Sequence, residues 1–262
     1  MRRALLIWLA LAVVAVAAFA LALASGSAQL SPAELWQALV SPGDSVAGEI
    51  LTRLRLPRAL AAFAVGGLLA LAGALMQVLL RNPLADPYVL GLSGGAAVGA
   101  LGAMLAGLGA LAINLGASAG ALAAILLVFA FARRDFARQQ MYGALDASPR
   151  LLLTGVIMAA GWGALITLTL TLAPEARLRG MLFWLMGDMS RAAGAEGLSS
   201  AWVTLVIVAA ISMIFSGSLN VLSLGQIKAK TLGVAVLPLQ VGIYFGAALA
   251  TVAALMLAGV IG

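Results

Sequence analysis

Long apolar runs separated by short polar interruptions set the pattern along this chain. The first run follows Arg2 and Arg3 and continues to Ala24. It runs about 20 residues, longer than the roughly 7–15-residue apolar core of a secretory signal peptide. An uncleaved membrane-crossing helix is therefore expected, although Ala22-Leu23-Ala24 before Ser25 also fits a cleavage site. A second run, 59–80, carries no charge and is long enough to cross a hydrocarbon core of about 30 Å. The third, 87–132, is also free of charge. As one helix it would be roughly 70 Å long, so it is expected to cross twice, turning near Ala112-Ile113-Asn114. Further crossings are expected over 151–173, 198–215 and 237–262, which makes about seven.

The interruptions have their own signals. Ser31-Pro32-Ala33-Glu34 fits a capping box with proline in the first helical turn. It predicts a short amphipathic helix that lays Leu35, Trp36 and Leu39 at the membrane interface. Asn82-Pro83 and Asp86-Pro87 are two X-Pro steps that push the preceding residue out of helix, so RNPLADP reads as a hinge. Gly91, Gly95 and Gly99 follow it four apart, on one helix face, and predict close helix packing. The same reading applies to Gly66, Gly67, Ala70 and Ala74 on the second crossing. Segment 133–150, with four arginines, reads as a polar loop. Within 174–197, the stretch LRGMLFWLMGDMS is too short to cross and suits a re-entrant or interfacial helix. Met76, Met158, Met181, Met186 and Met189 read as soft packing residues.

Composition agrees with a bilayer as solvent. The chain is 64% hydrophobic and 9% charged, against about a quarter charged in a soluble domain. Continuous rather than alternating apolar runs favour helices over a barrel. There is no cysteine for a disulfide framework and no histidine as metal ligand or proton shuttle. No metal site or cofactor is expected. The net charge of +6 reads as basic loops on one membrane face rather than as nucleic-acid binding. The assigned topology puts nine Lys and Arg inside and six outside, with the N-terminus in the cytoplasm. No assigned crossing holds Asp, Glu, Lys, Arg or His, which argues against a proton- or ion-coupled carrier. No GxxxxGK[ST] phosphate loop is present; GQIKAKT lacks the second glycine. This chain is therefore not expected to hydrolyse ATP itself.

RLPR at 55–58, the small-residue helix ending in GALMQ, RNPLADP and LGLSGGAAVGA all lie between Arg55 and Ala100. Together they resemble the permease subunits of bacterial ABC importers for iron-siderophores, haem and cobalamin, the FecCD/BtuC-like family. The resemblance implies an all-α polytopic transmembrane helical bundle, with 1–262 a single permease domain. About seven of the family's ten helices are present, since the chain stops at LMLAGVIG and is expected to be a C-terminally truncated member. It implies a second copy of the permease as homodimer partner, a separate ABC ATPase subunit, a substrate-binding protein, and residence in the bacterial inner membrane.

Site residues follow from the same likeness. Arg55 and Arg58 are the candidates for docking the binding protein; three apart, they would share a helix face. LNVLSLGQIKAKTLGVAV at 219–236 is similar to the pair of short helices that couple the permease to its ATPase. It nominates Leu224, Gly225, Gln226, Ile227, Leu232 and Gly233. The family usually has Glu at the position of Gln226, so altered coupling is expected. Ala147 and Ser148 fall at the position of the cytoplasmic gate. LRGMLFWLMGDMS resembles an external half-helix in which Trp184 is expected to pack. The function implied is translocation of a metal chelate from a binding protein into the cytoplasm, driven by a separate ATPase. An ATP-independent carrier or channel, or a non-transporting fragment, remains the alternative.

Overall fold

A computed structural model describes residues 2–26, 28, 30–41, 45–142, 148–189 and 195–260. Among these there is no strand. The order is α1 (Arg2–Ala24), α2 (Pro32–Val40), α3 (Val46–Ile50), a π turn (Leu51–Arg55), α4 (Leu56–Leu80), a 3₁₀ turn (Pro87–Leu90), α5 (Leu92–Leu105), α6 (Ala110–Tyr142), α7 (Ser148–Leu172), α8 (Glu175–Met186), α9 (Ala195–Ile214), α10 (Ser216–Ser223), α11 (Gln226–Thr231) and α12 (Val236–Ala258). Among the described residues, six helical stretches are long and apolar enough to cross a membrane; α5 is apolar but shorter.

Helix α4 lies at the centre. Ala61, Ala64, Val65, Leu68, Ala72, Leu75, Met76 and Leu79 recur at three- and four-residue spacing and are buried. They share one core with Ile243, Tyr244, Ala247, Ala250 and Ala254 of α12 and with Ala201 and Val208 of α9. Lipid tails are as apolar as these side chains, so small residues that let backbones approach supply the cohesion. The Tyr244 hydroxyl satisfies itself in this apolar interior by donating to the Ile125 carbonyl of α6 at 2.7 Å. The expected packing stripe of Gly66, Gly67, Ala70 and Ala74 is not the buried one. Gly66, Ala70 and Ala74 are exposed, and only Gly67 is in close contact, with Leu205.

Helices α5 and α6 meet backbone to backbone. A Cβ on Gly99 would lie 1.9 Å from the Gly116 carbonyl oxygen, and one on Gly120 would lie 2.0 Å from that of Gly95. The Gly95 and Gly99 stripe thus has its counterpart in Gly116 and Gly120. Gly91 does not belong to that face. It ends the 3₁₀ turn in the left-handed region at φ 72°, against Trp162 of α7.

The turn between α5 and α6 sits at 106–109, earlier than the polar Asn114 suggested. Gly107, at φ 74°, lets its own N–H reach the Met104 carbonyl and the Leu108 N–H reach that of Ala103. This Schellman motif stops α5, and Asn114 is absorbed into α6. Helix α6 also continues through Arg133, Arg134 and Arg138 to Tyr142, so much of the expected polar loop is helical backbone.

The predicted capping box is present. The Ser31 N–H donates to Glu34 Oε2 at 2.7 Å and the Glu34 N–H donates to Ser31 Oγ at 3.3 Å. These bonds, the backbone one first, hold the Glu34 carboxyl below its usual range. The cap therefore weakens as pH falls through that lowered value.

Two glycines three residues apart on α5 are expected to behave oppositely. Gly99→Ala forces a methyl into a backbone carbonyl and should cost about 2 kcal/mol or more. Gly102→Ala has nothing within 4 Å of its new methyl and should be neutral or stabilising by up to about 1 kcal/mol. Thermal unfolding of both variants in detergent measures the difference.

Candidate functional site

The bundle has two ends with distinct chemistry. At one, α4 runs into the hinge and α11 leads into α12. The Asn82 side-chain oxygen accepts from the Leu84 N–H at 3.0 Å, and Asp86 accepts from the Tyr88 N–H. Arg81, at φ 49°, ends α4 in the left-handed region. These local bonds replace the helical ones that the prolines forbid, and they leave Leu84 86% exposed.

Beside the hinge, α10 and α11 form a short helix pair. Leu222 and Ala229 are buried and anchor the pair to the central core. Leu224, Ile227 and Leu232 point the other way, 62%, 54% and 66% exposed. Gly225, at φ 115°, makes the bend between the helices. Gly233, at φ 79°, closes α11 with a second Schellman motif, in which the Val234 N–H bonds to the Ala229 carbonyl. A Cβ on Gly225 would lie 4.0 Å from an Arg81 guanidinium nitrogen, which sets the pair beside the hinge. Gln226 is half-buried at the start of α11. The result is an apolar ridge held by a buried backing, a shape that suits insertion into a groove. Leu84, exposed in the neighbouring hinge, was missed in the sequence. Its signal was an apolar residue inside a proline-bounded turn.

At the other end, Arg55 and Arg58 are not presented together. Arg55 is 8% exposed. Its Nη1 donates to the carbonyls of Leu23 at 2.7 Å and Ala24 at 2.9 Å, and its Nη2 donates to that of Ala28. Helix α1 is otherwise hardly buried, and the Leu23 and Ala24 carbonyls are among those its last turn leaves unsatisfied. Gly26 makes room, because a Cβ there would lie 2.8 Å from Arg55 Nη2. The backbone is helical from Arg55 into α4, so it is the Arg55 side chain, turned to the end of α1, that separates the two arginines. Arg58 stays exposed, as does Arg53, which pairs with Glu49 at 3.5 Å.

Arg177 repeats the device. It donates to the Leu105 carbonyl at the end of α5, next to Gly107. Trp184 of α8 is 5% exposed and packs with Ala96, Ala97, Ala100, Ala117 and Ala121, so its role is packing. Of the gate candidates, Ala147 lies outside the described residues; Ser148 begins α7, and its side chain lies outside them too.

Helix α7 is apolar and meets α5 and the 3₁₀ turn through Trp162, but most of its surface is exposed. The hydroxyls of Thr167, Thr169 and Thr171 each donate to the carbonyl four residues back, so they are satisfied without a neighbour.

The sequence profile of the FecCD transport family matches residues 13–262. The chain belongs to the FecCD transport family. It is 36% identical over 212 residues to the vitamin B12 import system permease protein BtuC of Escherichia coli O127:H6, covering 78% of this chain and 60% of that protein. BtuC of Escherichia coli O1:K1 is 35% identical over the same shares. The chain thus spans 60% of the length of these curated relatives. Among solved structures it resembles a transporter described as of metal-chelate ABC type, in an inward-facing conformation. There the TM-score is 0.82 at 28% identity, covering 98% of this chain and 77% of the other. The all-α polytopic bundle expected from the sequence is the fold observed.

Arg55→Met should free the end of α1, at a cost of about 3 kcal/mol for the lost charge-assisted bonds. Limited proteolysis should then cut near residue 25 many times faster. Arg58→Met should leave that rate unchanged.

Proposed function

We propose that this chain is the membrane-spanning permease subunit of a type II ABC importer, a single transmembrane domain that contributes pathway and coupling but no catalysis. The observation that carries the proposal is the α10–α11 ridge. Leu224, Ile227 and Leu232 are exposed to more than half of their surface, on a helix pair anchored by Leu222 and Ala229, in a chain of the FecCD family. An ATPase subunit docks there. Gly225 and Gly233 hold the ridge in shape, and Gln226 supplies a neutral acceptor in place of a carboxylate.

At the opposite end Arg58 meets acidic groups on a binding protein. Arg55, committed to the end of α1, fixes the position of that surface. A second copy of the permease pairs through the exposed surface of α7. Ala147 and Ser148 form the gate on the ATPase side, and the N-terminus lies in the cytoplasm. The excess of Lys and Arg on that side supports this orientation and residence in the bacterial inner membrane. The cargo is a metal chelate: cobalamin, haem or an iron-siderophore. Support for that class comes from the vitamin B12 and metal-chelate relatives. The absence of Asp, Glu, Lys, Arg and His from the apolar runs supports ATP-driven rather than ion-coupled transport.

Co-purification with the cognate ATPase tests the reading. The wild-type chain should retain the ATPase in detergent. Leu224→Asp should release it without loss of thermal stability, because the side chain is exposed. Equal retention by both would remove the α10–α11 ridge as the docking surface. In parallel, Arg58→Glu should weaken affinity for the binding protein by roughly ten-fold or more through charge reversal. Unchanged affinity would remove Arg58 from that role.

A further inference from the structure

The end of α1 combines a peptidase motif with an unusual contact. Ala22 and Ala24 are the small residues that a signal peptidase reads before the bond it cuts, here Ala24–Ser25. Arg2 and Arg3 supply the basic start that such a leader carries, and the apolar run stands between. Packing does little to hold this helix. No residue from Leu5 to Ala24 is buried, and Phe19 meets Phe63 of α4 edge-on at 5.5 Å.

Arg55 occupies the motif itself. Its Nη1 donates to the Leu23 carbonyl at 2.7 Å and to the Ala24 carbonyl at 2.9 Å. The Ala24 carbonyl is the one that cleavage before Ser25 has to attack. Nη2 donates to the Ala28 carbonyl on the far side of that bond, so the guanidinium bridges the cleavage point. The backbone is also in the wrong shape for a peptidase. The Ser25 N–H still bonds to the Leu21 carbonyl at 2.8 Å as the helix ends, whereas recognition by strand addition needs an extended segment. Opening the site would strip the buried Arg55 of these acceptors and leave its charge unpaired.

We propose that Ala22-Leu23-Ala24 is a latent signal-peptidase site that Arg55 keeps closed, so that α1 is retained as a helix of the bundle. With the latch open, water adds across the Ala24–Ser25 peptide bond, leaving a carboxyl on Ala24 and a new amino terminus on Ser25. The proposal rests on the cytoplasmic placement of the N-terminus, which puts Ser25 on the outer face, where such a peptidase works.

Expression of the full chain in a bacterium with a C-terminal tag, followed by N-terminal sequencing of the purified product, tests it. Wild type should keep residues 1–24. Arg55→Met should raise the share beginning at Ser25 by roughly ten-fold or more, the effect of losing a charge-assisted bond. Gly26→Ala leaves Arg55 in place but sets a methyl 2.8 Å from its Nη2; it should raise that share less. Ala24→Phe added to Arg55→Met should restore the intact N-terminus, because the small residue that the peptidase reads is gone. General proteolysis of a misfolded chain would not be rescued that way. Ala33→Cys, exposed on α2, reports orientation through a membrane-impermeant maleimide applied to spheroplasts, and should be labelled. Wild type already cut at Ser25 would overturn the proposal. So would Arg55→Met and Gly26→Ala that both stay uncut while position 33 is labelled from outside, or cutting that persists with Ala24→Phe. Labelling of position 33 only after lysis would overturn the orientation and the proposal with it.

Discussion

Everything in this bundle hangs on the seam between α4 and α12. In a bilayer, helices gain little by exchanging lipid for each other, so cohesion comes from close contact. The seam meets that demand with Ala61, Ala64 and Ala72 on one helix and Ala247, Ala250 and Ala254 on the other. Both candidate surfaces are built outward from its ends. Arg55 and Arg58 stand where α4 begins. The hinge stands where α4 stops, and the α10–α11 pair feeds directly into α12.

The second constraint is that a helix end near hydrocarbon cannot leave its carbonyls unsatisfied. The chain uses two solutions. Gly107 and Gly233 turn the backbone into Schellman motifs. Arg55 and Arg177 instead reach across from a neighbouring element and donate to the last carbonyls of α1 and α5. The arginine solution also ties two elements together, so it serves packing as well as capping. That is why Arg55, read from the sequence as a surface cation, is turned inward.

Periodicity and length made the crossings legible, because an uncharged run of bilayer length leaves a chain few options. The capping box at Ser31 and Glu34 was legible from local sequence in the same way. What escaped the sequence was direction. The stripe of Gly66, Ala70 and Ala74 has the spacing of a packing face, yet α4 buries the other side, where Leu68 and Met76 add volume. The turn after α5 was misplaced because Asn114 is polar, whereas Gly107 satisfies the backbone. The three-residue spacing of Arg55 and Arg58 gives no sign that the open carbonyls of α1 draw the Arg55 side chain away. The ridge of Leu224, Ile227 and Leu232 was read from motif likeness. The exposure of Leu84 needed the folded hinge to be seen.

The central claim is that the α10–α11 ridge is a partner-docking surface and not merely a loop exposed to water. The chain contains no cysteine, so single cysteines can be placed without background. Ile227→Cys on the ridge and Val206→Cys on the outer face of α9 are both about half exposed or more in the isolated chain. With the cognate ATPase present, maleimide labelling should fall at least about five-fold at 227 and stay unchanged at 206, as burial in a groove would produce. Equal labelling at both positions, with the ATPase bound, would contradict the account.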